Sequence, residues 1–301
     1  MLLQQTLEAN RRSKQPEASL SPSLAAARRV MRNPSGVVGV TVLAIFVLVA
    51  LMAPLLAPFD PLAQHAGDEL KAPGTTYLLG TDEFGRDILS RIVYGARISL
   101  GVGIVSMGIG FAIGALSGII SGFLGGWVDV VVNRLWDCLL AFPPILLGIA
   151  VVAILGPGAI NTAIAVGILN IPIFSRLARA CALTEKEKDY VLAARALGSS
   201  DSRIAFHHIL PNTLSPLLVQ MAVAVAFGVI LEASLSFLGL GTQPPDPSWG
   251  SILSYSRQFL RNAWWYGVFP GVALTTLVVG LNFLSDALRD ALDPRQINLG
   301  R

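Results

Sequence analysis

The feature that most constrains this chain is its set of long, uninterrupted apolar runs. A helix needs about 20 apolar residues to cross roughly 30 Å of hydrocarbon. Six candidate runs occur, at residues 36–58, 98–124, 133–155, 159–178, 213–239 and 267–286. Within lipid every backbone polar group must be satisfied internally, which leaves helices and closed barrels, and runs this long read as helices. The expected fold class is therefore an all-α polytopic membrane protein with six transmembrane helices.

Composition points the same way. The chain is 53% hydrophobic and 14% charged, with a mean hydropathy of +0.63, whereas soluble domains carry about 25% charged residues. The net charge of +3 is spread along the chain, so membrane lipid and not nucleic acid is the expected partner. Six spans return both termini to one side. Of the 22 Lys and Arg, only Lys71, Arg86, Arg91, Arg97, Arg257 and Arg261 fall in segments that would then lie outside, which predicts cytoplasmic termini in a bacterial inner membrane. Arg176 and Arg179, closing the fourth span, are expected to snorkel to the interface.

The first 35 residues are polar and do not read as a cleaved signal peptide. The expected organisation is a cytoplasmic tail at 1–35, a first helix and outer loop at 36–94, a permease-type core at 95–290 containing a cytosolic loop at 181–212, and a cytoplasmic tail at 291–301. Cys138 and Cys181 have neither metal-ligand nor C-x-x-C spacing, so no disulfide framework is implied. His207 and His208 lack further ligands at metal spacing, no metal site is expected, and His65 reads as a solvated loop histidine.

Ser106, Gly110, Gly114, Gly118 and Gly122 place a small residue at every fourth position of the second span. Such a ladder forms one helix stripe along which another backbone approaches closely. Pro143 and Pro144 in the third span, and Pro172 in the fourth, remove backbone donors and favour kinks. Trp264, Trp265 and Tyr266 sit where an aromatic belt would anchor the sixth span.

The loop Asp189 to Asn212 is too polar to cross a membrane. Tyr190, Ala193, Ala194 and Leu197 share a helix face, Gly198 permits a reversal, and Ser199, Ser200 and Asp201 can cap a second short helix that ends near Pro211. A compact helix-turn-helix of this kind is a protein-docking shape. Outside the membrane, Asp82, Glu83, Arg86 and Asp87 can form an ion-pair and capping network that orders the outer loop, with direct substrate contact as the other reading. Trp249, within the helix-breaking run TQPPDPSWG, offers an apolar anchor for a segment expected to shape the outer mouth. Glu232 lies well inside the fifth span; it either lines or gates a pathway or bonds to neighbouring backbone near the outer interface.

The stretch AARALG, nine residues, then HILPN resembles the signature loop of permease subunits of binding-protein-dependent ABC importers. The matching positions are Ala193, Ala194, Gly198, Leu210 and Pro211, and Leu192 stands where that family usually has Glu. LGTDEFGRDILSRIVYGARISL (79–100), EASLSFLGLGTQPPDPSWGSIL (232–253), RNPSGVVGV and RDALDPR are similar to the C-type subunit of the dipeptide, oligopeptide, glutathione and nickel group. The resemblance implies a type I ABC importer permease fold, a homologous second permease sharing the pathway, two cytosolic ATPase subunits on the loop, and an extracytoplasmic substrate-binding protein. It also implies a cargo of di- or oligopeptides, with glutathione, nickel complexes and haem within the group's range.

No G-x-x-x-x-G-K-[ST] and no Gly-Lys pair occurs, so the chain is not expected to be an enzyme or to hold a cofactor; ATP and Mg would be bound by the partner ATPases. The alternative function is a secondary transporter driven by an ion gradient, which should show inverted repeats and broken helices at the midplane.

Overall fold

The structure, a computed structural model, describes residues 27–292. Most of the expected N-terminal tail and residues 293–301, with the end of RDALDPR, lie outside the described residues. Helices dominate, and the single β-bridge among the described residues joins Thr81 to Asp87. Five helices are long and apolar enough to cross a bilayer, and a bent pair supplies a sixth crossing if counted as one span.

Helix α1 (Pro34–Leu51) starts where the Asn33 side chain accepts from Ser35 N at 3.1 Å and Pro34 occupies the first turn, where its missing N–H costs nothing. A short turn, α2 (Ala53–Leu56), follows. Helix α3 (Ile88–Leu124) begins ten residues before the expected span, because Asp87 caps it by accepting from Ser90 N at 2.7 Å. Helices α4 (Gly126–Leu140) and α5 (Pro144–Leu155) meet at 94°. The expected third span is thus a sharply broken element, since neither Pro143 nor Pro144 can donate to continue the ladder.

Helix α6 (Ala159–Glu185) runs unbroken through Pro172 and continues past the expected end. Arg176 and Arg179 pair with the acidic residues of α4. Arg179 grips Asp129 with two bonds of 2.5 and 2.6 Å, and Arg176 reaches Asp137 at 2.7 Å. The pairs turn the acidic side chains of α4 toward α6, while Trp127, Val131 and Leu135 on α4 are exposed.

The glycine ladder packs α3 on α6. A Cβ added to Gly110 would lie 2.5 Å from Asn170 Cβ, one on Gly114 2.5 Å from Ile171 O, and one on Gly122 2.8 Å from Arg179 O, while Gly118 abuts Ser175 O. Any larger residue would push the backbones apart. Ser106 faces elsewhere, against Gly228 of helix α8 (Asp201–Phe237). Helix α9 (Trp249–Ser256) and helix α10 (Trp265–Leu292) complete the bundle, with α1 against α10 through Gly39 and Gly280.

Candidate functional site

Glu185 ends α6 and is nearly buried; it accepts from Lys188 Nζ at 2.6 Å and from the Tyr190 hydroxyl at 2.5 Å. Asn212 then donates to the Tyr190 hydroxyl at 3.2 Å and to His208 O at 2.7 Å. Burial and the carboxylate of Glu185 raise the Tyr190 hydroxyl to about 12, so it stays a neutral donor. This chain of bonds ties helix α7 (Asp189–Ala196) to both the helix before it and the helix after it.

Val191, fully buried, is the apolar pin. It packs in one cluster with Ile119 and Phe123 of α3, Phe174 of α6, and Ile204 and Ile209 of α8. The opposite face of α7 finds no such cover. Leu197 is 87% exposed and Leu192 47%, with Ala193 also exposed, and Phe206 of α8 is 44% exposed. Apolar side chains projecting from a polar loop form a surface that wants a partner.

The turn between the helices is set by Gly198, whose φ of +80° is the left-handed conformation that a Cβ disfavours. No atom lies within 4 Å of a Cβ built there, so the constraint is backbone conformation and not space. The second helix is not a separate short element. Ser200 stands at its N-cap without a side-chain bond, and the chain then passes through a π-turn at Ile204–Ile209 into the body of α8. Widening the helix there lets Leu210 N reach Ala205 O, and it gives room for the Pro211 ring, which would crowd the preceding turn of a regular α-helix.

At the opposite end of the bundle Asp82, Arg86 and Asp87 come together as expected, and they are buried. Asp82 accepts from Phe84 N at 2.9 Å, Arg86 N at 3.0 Å and Arg86 Nε at 2.6 Å, and Arg91 Nε stands 3.4 Å away. Sequence reading missed Arg91, whose guanidinium is 2% exposed and also donates to Pro61 O at 3.1 Å. Its position one turn inside a helix was the available signal. The segment is held in place by internal bonds, which favours ordering over substrate contact.

Four expectations change here. Trp249 is fully buried, donating to Ile92 O at 3.0 Å and meeting Phe46 edge-on, so it anchors the loop from below and does not form the mouth. Trp265 and Tyr266 join the core with Ile88 and Ile252, leaving Trp264 alone exposed at the interface. His65 is not simply solvated: its ring sits 5.9 Å from Phe59 and 6.1 Å from Tyr77. Glu232 also departs from the pathway reading. It is fully buried between α3 and α8, accepting from Ser99 at 3.0 Å and Ser236 at 2.7 Å, with no exposed surface to line a passage.

The chain is similar to known proteins over nearly its whole length. Residues 114–298 match the family described as binding-protein-dependent transport system inner membrane component, and residues 21–73 match the N-terminal TM domain of oligopeptide transport permease C. It is 44% identical over 277 residues to the dipeptide transport system permease protein DppC of Alkalihalophilus pseudofirmus, covering 92% of this chain and 91% of that one. It is 42% identical over 269 residues to the glutathione transport system permease protein GsiD of Pectobacterium atrosepticum, covering 89% of each. Among solved structures, an inward-facing methionine ABC transporter, MetNI, aligns with a TM-score of 0.57 at 20% identity, over 68% of this chain and 98% of that one. That likeness concerns the fold.

Proposed function

Because this chain belongs to the binding-protein-dependent transport system inner membrane components, we propose that it forms half of the pathway of an ATP-driven importer for di- or oligopeptides. A homologous second permease supplies the other half, and an extracytoplasmic binding protein delivers cargo. Two cytosolic ATPase subunits dock on the loop carrying α7, which puts both termini in the cytoplasm. The observation that carries this reading is the uncovered apolar surface of Leu192, Ala193 and Leu197, on and just beyond a helix whose other side is pinned by Val191, with Phe206 of α8 exposed as well.

A partner pressing on that face moves a rigid piece. The Glu185–Tyr190–Asn212 bonds and the shared apolar cluster join α7 to α6 and α8. ATP-driven closure of the partner subunits would therefore tilt two long helices together, switching access between the two sides. Leu192 gives the contact an apolar side chain where the family usually has a carboxylate, so the fit here rests on shape and apolar area.

The test is Gly198→Val in the reconstituted importer. Forcing a β-branched residue into the left-handed conformation costs about 1–2 kcal/mol and should misaim α7. Membrane insertion should persist while peptide uptake falls away from ATP hydrolysis. Wild-type uptake by the variant, with normal copurification of the ATPases, would overturn the proposal.

A further inference from the structure

A cavity of about 720 Å³ opens at the end of the bundle opposite the α7 loop. Its walls are the segment from Pro54 to Leu62, the Tyr94–Arg97–Ile98 face of α3, and Asp246 with Pro247 from the proline-rich loop. The cavity is preformed, because each wall is fastened to the first turns of α3. Phe59 N donates to Ser90 Oγ at 3.1 Å, Arg91 donates to Pro61 O at 3.1 Å, and Trp249, two residues beyond Pro247, donates to Ile92 O at 3.0 Å.

The charges facing it are unspent. Arg97 is exposed, its guanidinium stands over the Tyr94 ring 6.0 Å from the centroid, and it has no ion-pair partner among the described residues. Asp246 is exposed and likewise unpaired among the described residues. Asp60 uses one oxygen to accept from Leu62 N at 2.8 Å and leaves the other free. Opposite charges that share a cavity without pairing suit a ligand that carries both signs.

Depth and surroundings decide which ligand. Arg97 lies just before the apolar stretch that begins at residue 98, at the level where the headgroup layer meets hydrocarbon. Leu55, between the lining residues Pro54 and Ala57, is 80% exposed, and Leu51, one helical turn earlier, is 68% exposed. An apolar ridge therefore runs down from the cavity along the outer surface of α1. We propose that this cavity holds the headgroup of a zwitterionic aminophospholipid, its phosphate on Arg97, its ammonium on Asp246 and Asp60, and its acyl chains along Leu51 and Leu55.

The charge balance predicts discrimination. A phosphatidylglycerol headgroup carries the same phosphate but offers the two carboxylates only neutral hydroxyls and no cation, and a phosphatidylcholine headgroup has no N–H to donate. The site requires only that the chain spans a bilayer, so it stands or falls separately from the docking role of α7.

The experiment is native mass spectrometry of the full-length chain, with any subunits that copurify, released from vesicles of equimolar phosphatidylethanolamine and phosphatidylglycerol, and in a second arm phosphatidylethanolamine and phosphatidylcholine. One retained phosphatidylethanolamine per chain is expected, favoured in each arm by about tenfold, the discrimination one charge-assisted hydrogen bond supplies. Arg97→Gln and Asp246→Asn should each erase that preference; should either variant fail to insert, the two wild-type arms carry the test. Equal retention of the competing lipids, or preference unchanged in both variants, overturns the proposal. Displacement of the lipid by millimolar dialanine also overturns it, by marking the cavity as a peptide site.

Discussion

The two ends of this bundle handle charge and apolar surface in opposite ways. At the outer end, Asp82, Arg86, Asp87 and Arg91 are buried and bonded to one another or to backbone, and Trp249 and Tyr266 are sunk in the core. At the loop carrying α7, Val191, Ile204 and Ile209 are sunk, while Leu192, Leu197 and Phe206 stand in the open. The first region braces its buried charges within the chain, and the second leaves large apolar side chains uncovered. A braced end and an uncovered apolar end are what the proposed docking role requires.

The largest effect that would sharpen this contrast is expected at Asp82. Asp82→Ala strands the Arg86 and Arg91 guanidinium groups in a buried site, and removing one member of such a network costs about 3–5 kcal/mol. Thermal unfolding of the detergent-purified chain should shift markedly downward, and an unchanged midpoint would break the picture of a locked outer end.

Leu197→Asp probes the other end. It should leave that midpoint where it is, because the side chain has few contacts to lose, yet it should cut ATPase copurification by the equivalent of about 1.5–3 kcal/mol, the value of one large apolar side chain. A variant that melts early but still holds its partners would reverse the assignment of the two regions.

Gly114→Val, between the ends, tests whether α3 and α6 move as one body. Overpacking a close helix contact costs about 1–3 kcal/mol, read as a lower melting midpoint. The smallest effect should come from acid at the outer loop. Asp68 is held below the usual carboxylate range by its bond from Lys71 and then by the Tyr77 hydroxyl at 2.7 Å. A depressed folded-state value means that its stabilisation is present above the unfolded carboxylate value of about 3.9 and is lost as pH falls through the lower folded value. Hydrogen exchange of Leu70 to Thr81 should lose protection as pH falls through that window, and Asp68→Asn should abolish the dependence.

Much of this was legible along the chain, for a physical reason. Crossing a bilayer demands length and apolarity that leave a linear trace, and close helix approach demands small residues at fixed spacing, so the spans and the Gly110–Gly122 ladder could be read directly. The need for a glycine at 198 also showed, because a left-handed turn after a helix has few other occupants. What the ladder would touch did not show. Gly110 to Gly122 meet Asn170, Ile171, Ser175 and Arg179, while Ser106, in the same register, faces Gly228. Spacing defines a stripe but not the helix that fills it.

Burial was the other quantity hidden from the sequence. Trp249 in a proline-rich loop and Trp264 beside Trp265 look alike as letters, and only the packing sends Trp249 and Trp265 inward and leaves Trp264 out. A carboxylate inside a span reads equally as a pathway residue or a bonded one, and Ser99, 133 positions away, decides for Glu232. The sequence by itself determined that this chain spans a membrane and which apolar stretches form its helices, and it singled out the loop ending at Leu210–Pro211 as a candidate docking element. The tertiary structure alone decided which face of that loop stays open, how sharply the third span breaks, and which charges have partners, because each depends on residues far apart in the chain that only packing brings together.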